Sequence, residues 1–160
     1  MSFQFQKIKS PVGPLILVAQ GDYLHALVFQ KRWAEFKKKF DDLSETETPI
    51  LKRARQQLAH YFDGKIKSFD LPIKTTGTDF QNRVWLSLAE IPFGQTRTYK
   101  QQATGIKSPR ATRAVGRTNG LNPLSIVLPC HRVIGSNGAL TGYGGGLKAK
   151  KFLLELEKNR

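Results

Sequence analysis

Apolar and polar residues alternate along the first part of the chain. The runs "FQFQKIK", "LILVAQ" and "YLHALVF" are separated by the turn residues "SPVGP" and "GD". Alternation with a period of two, bounded by glycine and proline, is typical of strands joined by tight turns. The pattern therefore predicts a small antiparallel sheet, and the later run "KSFDLPI" is predicted as its last strand.

Helical spacing follows these strands. In "TPILKRARQQLAHYFDG", Thr48 is a predicted N-cap, Pro49 occupies the first helical position and Gly64 lies just past the end. Proline at the start and glycine beyond the end are the usual boundaries of a helix. The shorter run "KRWAEFKKKF" is weakly helical. The first half of the chain is therefore predicted to combine a small antiparallel sheet with helices.

The second half is predicted to be mainly helical. "TDFQNRVWLSLAEIP" and "TYKQQATG" each begin with a threonine followed three residues later by a glutamine, which is the pattern of a capping box. "NPLSIVLP" is predicted as a buried strand. "LKAKKFLLELEK" is predicted as an amphipathic helix with Ala149, Phe152, Leu153 and Leu156 on its apolar side.

A polar linker, "KTTGTD", separates these two halves. Threonine, glycine and charged residues between patterned segments are typical of a loop. The predicted domains are an N-terminal α/β lobe, residues 1–76, and a mainly helical C-terminal lobe, residues 77–160. Together they predict an α/β fold of the α+β kind.

Two adjacent short helices in the second half predict a helix-turn-helix. The first is "TYKQQATG", and the second is "SPRATRAVGRTNG", with Ser108 as its N-cap and Gly120 at its end. Spacings of three and four residues place Arg110, Arg113 and Arg117 on one face of the second helix. Such a stripe either solvates the helix or contacts phosphates, and the lack of an acidic partner nearby favours phosphates.

The charge of the chain also indicates a polyanionic partner. The 160 residues carry 26 Lys and Arg against 12 Asp and Glu, for a net charge of +14. Between Glu90 and Glu155 there is no carboxylate, although ten Lys or Arg residues occur there. A surface without carboxylates does not repel phosphates. A nucleic-acid partner is therefore favoured over the alternative, a generally basic protein whose charge serves only solubility.

Other classes of protein are disfavoured by the sequence. No apolar run reaches 18 residues, so no transmembrane helix is expected, and the N-terminus does not have the pattern of a signal peptide. A single cysteine cannot form an internal disulfide, which fits the reducing cytoplasm. Cys130, His25, His60 and His131 do not have the spacing of a zinc site, so no metal is expected.

The most suggestive chemistry lies in "LPCHRVIG", which contains the only cysteine, Cys130. A thiolate attacks electrophiles and needs cationic or hydrogen-bonding neighbours, for which His131 and Arg132 are candidates. Adjacent residues of a strand point to opposite faces, so His131 reaches the sulfur only if Pro129 bends the chain or a water intervenes. Two interpretations stay open at this point: a buried, inert thiol, or a nucleophile activated by histidine.

The segment "NPLSIVLPCHRVIGSNGALTGYGGGLKAKKFLLELE" resembles the active-site region of the 6-O-alkylguanine-DNA alkyltransferases. The likeness extends upstream through "RAVGR", "TYKQQA" and "FQNRVW", and covers about residues 78–158. It implies a cytoplasmic repair protein, without cofactor, that flips 6-O-alkylguanine, and less efficiently 4-O-alkylthymine, out of double-stranded DNA. The alkyl group would pass irreversibly to the protein's own cysteine. Because a thioether has no easy leaving group and no second cysteine is present, a single turnover by a monomer is expected.

The resemblance implies catalytic roles for five residues. Cys130 matches the alkyl acceptor, and His131 matches the histidine that, through water, helps keep the sulfur ionised. Glu157 matches the carboxylate that orients this histidine. Asn122 matches the asparagine that holds the active-site turn, and Tyr99 matches the tyrosine associated with nucleotide flipping and base protonation.

The same resemblance implies residues for DNA and for the base pocket. Arg113 matches the arginine that fills the vacated place in the base stack, and small residues beside it would let the helix approach closely. The expected DNA contacts are Tyr99, Arg110, Ala111, Arg113, Ala114 and Arg117. The expected pocket residues are Ser125, Tyr143 and Gly144. Thr118 departs from the family, which usually has alanine at that place.

Two other functions compete with alkyl transfer. A DNA-binding damage sensor would use the helix-turn-helix without chemistry, and a thiol hydrolase would turn over an ester or peptide repeatedly. The presence of Cys130, His131 and Glu157 argues against the sensor, and the carboxylate-free half of the chain argues against the hydrolase. Transfer of a labelled methyl group from duplex DNA to the protein distinguishes the three.

Overall fold

The structure, a computed structural model, describes residues 2–159, and its backbone contacts divide the chain between Thr75 and Thr76 into two units. The first unit contains the larger sheet and the second contains most of the helices. The mixed α/β class that the sequence predicts is therefore confirmed. The division falls one residue before the predicted boundary, and the assignment of 1–76 and 77–160 as domains stays a prediction.

The first unit contains a four-stranded sheet of β1 (Phe3–Ile8), β2 (Leu15–Gln20), β3 (Tyr23–Phe29) and β4 (Leu43–Glu45), in the order β3-β2-β1-β4. β2 pairs antiparallel with both β1 and β3, as the alternation predicts, whereas β4 pairs parallel with β1. The sheet is thus mixed rather than wholly antiparallel, and β4 was not anticipated from the sequence.

The strand predicted for "KSFDLPI" is wrong, because only Ile73 makes a single bridge, to Leu24. The reason lies in a side chain of the neighbouring helix. The amide group of Gln57 donates to the carbonyl of Asp70 and accepts from its N–H, both at 2.9 Å. These two bonds satisfy the carbonyl and the N–H of Asp70, which would otherwise pair with a neighbouring strand. Pro72 has no N–H, so it cannot continue a ladder of backbone hydrogen bonds.

Two helices pack against this sheet, and their termini follow the sequence signals. α1 (Gln30–Phe36) runs into a short 3₁₀ turn, and α2 (Pro49–Phe62) begins with proline at its first position. The side chain of Thr48 accepts a bond from the N–H of Leu51, so the predicted N-cap is confirmed. One face of the sheet and α1 share a buried apolar cluster composed of Ile16, Val18, Ala26, Val28, Trp33 and Phe36.

The second unit contains four helices and one two-stranded pair within the described residues. Both predicted capping boxes are present, at Thr78 with Gln81 and at Thr98 with Gln101. The helices are α3 (Asp79–Leu88), α4 (Tyr99–Gly105), α5 (Thr112–Gly120) and α6 (Leu147–Lys158). The two strands, which pair in parallel, are β5 (Arg97–Thr98) and β6 (Val133–Ile134). No helix in residues 2–159 combines the length and the apolar character needed to cross a membrane.

The second helix of the predicted helix-turn-helix begins later than expected. Ser108 is not its N-cap, because the carbonyl of Ser108 accepts a bond from the N–H of Ala111 and closes a turn before the helix. α5 starts at Thr112, with Ala111 as its N-cap. Arg110 therefore precedes the helix and does not share its face with Arg113 and Arg117, which corrects the predicted stripe of three.

The buried strand predicted for "NPLSIVLP" is also wrong, since these residues form a series of tight turns. Leu128 donates its N–H to the carbonyl of Leu124 at 2.8 Å, which folds the segment back on itself. Ile126 adopts a positive φ of 73°, a strained conformation for a β-branched residue. The apolar side chains are buried as predicted, but they are buried by turns and not by a sheet.

Candidate active site

Cys130 lies in a 3₁₀ turn, Cys130–Arg132, which follows Pro129. The N–H of Arg132 donates to the carbonyl of Pro129 at 3.0 Å and closes this turn. In a strand, the side chains of Cys130 and His131 would point to opposite faces. In a 3₁₀ turn, successive side chains point only about 120° apart, so this obstacle does not arise. The thiol is largely buried, at 7% exposure, and it is not in a disulfide.

The structure brings His131 and Glu157 together. Nε2 of His131 lies 2.8 Å from Oε2 of Glu157, and both side chains are buried, with residue exposures of 0% and 3%. Glu157 lies in the last turn of α6, so this bond ties the helix to the turn that contains the cysteine. The contact between the carboxylate and the histidine is therefore observed, and the role of this pair in catalysis stays a prediction.

Arg132 has a position that the sequence analysis did not anticipate. It was considered as a cation beside the thiol, but its guanidinium forms a two-point contact with Glu157, at 2.7 Å and 2.9 Å. A third nitrogen donates to the carbonyl of Ile91 at 2.7 Å. Because both oxygens of Glu157 accept from Arg132, the carboxylate is held in one orientation and its charge is matched.

The surroundings of His131 favour its neutral form. Burial lowers the pKa of His131 below its usual value of 6.5, and Arg132 and Lys150 lower it further, whereas the bond to Glu157 and its charge raise it. A carboxylate only accepts, so the proton of the neutral ring resides on Nε2. Nδ1 therefore has a lone pair, and it is buried without a hydrogen-bond partner among the described residues. Nδ1 can accept a proton.

Asn122 braces the turns that lead to the cysteine. Its Nδ2 donates to the carbonyl of Leu128 at 2.8 Å, and its Oδ1 accepts from the N–H of Leu124 at 2.9 Å. The side chain is buried, so both ends of the amide are used inside the fold. Because Leu128 is two residues before Cys130, this bracing sets the position at which the chain enters the 3₁₀ turn.

The parallel pair of β5 and β6 places Tyr99 beside this site. Arg97 pairs with Val133, and Thr98 pairs with Ile134, directly after the cysteine turn. Tyr99 is the first residue of α4 and immediately follows β5. Its hydroxyl donates to the carbonyl of Thr141 at 3.4 Å and accepts from the hydroxyl of Thr141 at 3.3 Å. The tyrosine is thereby linked to the loop between β6 and α6.

Lys150 is a site residue that the sequence analysis missed. Phe152, which the sequence analysis placed on the apolar side of α6, is 38% exposed. Lys150, which it did not place there, has a fully buried side chain. Its Nζ donates to the carbonyls of Val133, at 2.6 Å, and Thr141, at 2.8 Å. The signal that could have found it is the spacing of three and four residues that aligns Lys150, Leu153 and Glu157 on one helix face.

The three predicted pocket residues lie on two segments of the second unit. Ser125 is buried in the turns that Asn122 braces, and Tyr143 and Gly144 lie in the loop before α6. The ring of Tyr143 approaches His131 edge-on, with 6.5 Å between the ring centroids. The contact of Tyr143 with the histidine is observed, and the role of all three in binding a base stays a prediction.

α5 presents its arginines to solvent. Arg113 and Arg117 are exposed on the helix, Arg110 is exposed in the preceding turn, and Ala111 and Ala114 are half-buried. The helix is fixed to α4 by a buried pair of amides, in which Gln102 and Asn119 donate to each other at 3.2 Å and 2.7 Å. On the same helix, a Cβ at Gly116 would lie 3.7 Å from the ring of Tyr99. α5 therefore passes close to the tyrosine of the site at Gly116.

Thr118, the departure noted in the sequence, is accommodated in the packing of α5. It is buried, and its carbonyl accepts a bond from the indole N–H of Trp85 at 2.8 Å. This bond uses the backbone, which any residue supplies. The extra hydroxyl therefore does not remove the contact between α3 and α5.

Two family profiles match the chain, one in each unit. Residues 4–75 match the "6-O-methylguanine DNA methyltransferase, ribonuclease-like domain". Residues 79–159 match the "6-O-methylguanine DNA methyltransferase, DNA binding domain". Together they cover nearly all of the chain.

Curated relatives and solved structures agree with these profiles. The chain is 48% identical to a methylated-DNA–protein-cysteine methyltransferase of Methanosarcina barkeri, with 95% of each chain covered. It is 44% identical to the constitutive methylated-DNA–protein-cysteine methyltransferase of Bacillus subtilis, with 94% of this chain and 92% of the relative covered. The crystal structure of Mycobacterium tuberculosis OGT in complex with DNA superposes with a TM-score of 0.89 and 44% identity. The superposition covers 98% of this chain and 93% of that one.

Proposed function

The chain belongs to the 6-O-methylguanine DNA methyltransferase family, and on this premise we propose that Cys130 is the residue that receives the alkyl group. The protein repairs alkylated guanine in DNA by transferring the alkyl group to a cysteine. One observation carries the assignment of the residue: this chain has a single cysteine, and that cysteine lies beside a histidine–glutamate pair.

The transfer is a displacement at a saturated carbon. The sulfur of Cys130 supplies the electron pair for the new S–C bond, and the C–O bond breaks with its electrons remaining on the guanine oxygen. The thiol proton passes to Nδ1 of His131 through a water, as the neutral ring allows. The departing guanine takes up a proton, for which the hydroxyl of Tyr99 is the proposed donor. No oxyanion hole is required, because no tetrahedral oxyanion forms.

Glu157 and Asn122 act on the positions of these groups. Glu157 fixes the histidine with its proton on Nε2, so that Nδ1 stays available as the acceptor. Asn122 fixes the turn from which Cys130 projects. This arrangement has the logic of a hydrolase triad, but its product is a thioether, which water does not cleave. The protein therefore reacts once.

Access to the damaged base requires that the nucleotide leave the duplex. An alkyl carbon on a guanine oxygen is out of reach of a side chain inside the stack, and extrusion costs a few kcal/mol. We assign Arg113 to the vacated place, because its planar cation stacks well and it is exposed near the start of α5. Arg110 and Arg117 would contact phosphates, while Ala111 and Ala114 would allow close approach. Ser125, Tyr143 and Gly144 would then enclose the base.

Localisation follows from the same chemistry. A reactive thiol that acts once must stay reduced until it meets its substrate. The cytoplasm maintains thiols in the reduced state, so we assign the protein to that compartment.

The decisive experiment follows the methyl group. We expect that duplex DNA containing 6-O-[³H-methyl]guanine transfers one methyl group per protein molecule and no more, with the label on Cys130 in peptide mass spectrometry. A matched duplex with unmodified guanine is the control. Tight binding without transfer would favour the damage sensor, and repeated turnover of an ester would favour the hydrolase.

Arg113→Ala should slow repair of duplex DNA at saturating DNA by about tenfold or more, since about 1.4 kcal/mol of lost support for extrusion corresponds to a factor of ten. Transfer from the free alkylated base should be unchanged, because a free base needs no extrusion. Single-turnover rates on both substrates measure this difference.

Arg117→Ala is the matched control for Arg113→Ala, since it removes the same charge one turn further along α5. It should weaken DNA binding without changing the rate at saturation. Equal loss of rate in both variants, or loss on the free base, would contradict the role in base displacement.

A further inference from the structure

Lys150 is a buried cation without a carboxylate partner. Its side chain has no exposed surface, and no carboxylate lies within 4.0 Å of its Nζ among residues 2–159. The next residue, Lys151, is exposed on the same helix. Burial of an ammonium group without an opposite charge is strongly unfavourable, so a negative group nearby is expected to compensate it.

Two backbone carbonyls hold the ammonium in place. One belongs to Val133, three residues after Cys130, and the other belongs to Thr141, which also bonds to Tyr99. The ring of Tyr99 lies 5.8 Å from Nζ, at the distance of a cation–π contact. These contacts orient the cation but contribute no net negative charge.

The charges around the cysteine turn do not balance while the thiol is protonated. The ionisable and charged side chains near this turn are His131 and Arg132 from the turn itself, Lys150 and Glu157 from α6, Tyr99 from α4 and Tyr143 from the loop before α6. The arginines of α3 and β5 bond elsewhere, since Arg83 donates to the carbonyl of Ile106 and Arg97 to that of Glu90.

Within this group, Arg132 and Glu157 neutralise each other by their two-point contact, and burial favours the neutral form of His131 by lowering its pKa. Lys150 is left with its positive charge. Burial lowers the pKa of Lys150, and the charge of an ionised Cys130 raises it. The cluster is therefore neutral when the sulfur is a thiolate and positive when it is a thiol.

We propose that Lys150 is a positioning residue whose buried ammonium group holds the sulfur of Cys130 in its ionised, nucleophilic form. Ionisation passes the thiol proton through the water to Nδ1 of His131 and from there to solvent, which leaves a neutral histidine and an ammonium–thiolate pair in the resting protein. The inference rests on the proposed role of Cys130 as alkyl acceptor, and it adds a charge that the histidine–glutamate pair does not supply. His131 receives a proton, whereas Lys150 stabilises the anion that remains.

The test is the pH dependence of the alkylation of Cys130 by iodoacetamide, which reacts with the thiolate. Since the chain has one cysteine, all label reports on Cys130. Lys150→Met should move the midpoint of the pH–rate profile upward by about 1–3 pH units, the usual effect of losing an opposite charge close by. Lys150→Arg, which keeps the charge, should have a midpoint close to that of the wild type.

Lys151→Met is the matched control, because it removes one lysine charge from an exposed position on α6. Its midpoint should equal that of the wild type. A folded Lys150→Met protein with the wild-type midpoint, or the same shift in Lys151→Met, would overturn the inference. Circular dichroism of each variant establishes that it is folded.

A second measurement keeps Lys150 intact, in case its variants do not fold. The ¹⁵N signal of the Lys150 ammonium group is followed against pH in the wild type and in Cys130→Ser. Loss of the thiolate should move the titration of Lys150 to lower pH, and an unchanged titration would overturn the inference. Methyl transfer from DNA, measured on the same wild-type protein, tests the proposed function separately, because iodoacetamide reactivity does not depend on a DNA substrate.

Discussion

Replacement of Cys130 by alanine is expected to abolish alkyl transfer completely while duplex DNA is still bound. The sulfur is the only thiol in the chain, and no other side chain near the site is a comparable nucleophile towards a saturated carbon. The exposed arginines of α5, which are proposed to contact DNA, lie outside the cysteine turn and stay in place. Label transfer and fluorescence-anisotropy binding, measured on one preparation, give the two halves of this result.

Cys130→Ser is the companion variant, since it preserves the shape of the side chain and supplies a poor nucleophile. It should also transfer nothing on the time scale of the wild-type reaction. A labelled adduct on any other residue of either variant would show that the acceptor has been assigned wrongly. If a variant loses both DNA binding and alkyl transfer, the thiol has a structural role.

Glu157→Gln is expected to have the second-largest effect, on both stability and activity. The variant leaves the buried guanidinium of Arg132 without its charge partner, and breaking a buried pair costs about 3–5 kcal/mol. The amide also no longer enforces a proton on Nε2 of His131, so transfer by the remaining folded protein should slow by about 100-fold. Urea denaturation and single-turnover transfer measure the two effects.

Glu155→Gln provides the comparison for this variant. Glu155 lies on the same helix, two residues earlier, and is exposed. Its replacement removes the same charge without breaking a buried contact, so stability and transfer should stay close to those of the wild type. If Glu157→Gln unfolds at the same urea concentration as Glu155→Gln, the buried network does not stabilise the site as described.

The network around Glu157 and the cation at Lys150 act on different steps of the reaction. Glu157 is proposed to orient a base, so its loss should slow transfer at every pH. Lys150 affects how much of the sulfur is ionised, so its loss should slow transfer most below the new midpoint and little at high pH. The shape of the pH profile therefore separates the two contributions.

Local signals in the sequence determined much of the fold, and the family resemblance indicated the residue that is proposed to react. Thr78 and Thr98 cap their helices through residues three positions away, so the pattern that predicts each cap also contains its partner. The single cysteine beside a histidine left both an inert thiol and a nucleophile open, and the resemblance of its segment to the 6-O-alkylguanine-DNA alkyltransferases implied an alkyl acceptor. These inferences needed no knowledge of distant contacts.

The tertiary structure alone decided how the active site is held together. Whether "NPLSIVLP" forms a strand or turns depends on the side chain of Asn122, which bonds a carbonyl six residues away. Arg132 bonds Glu157 25 residues away, and the buried position of Lys150 depends on carbonyls 9 and 17 residues away. A hydrogen bond or a buried charge is favourable only when packing excludes water and supplies the partner, and no local pattern records which partner that is.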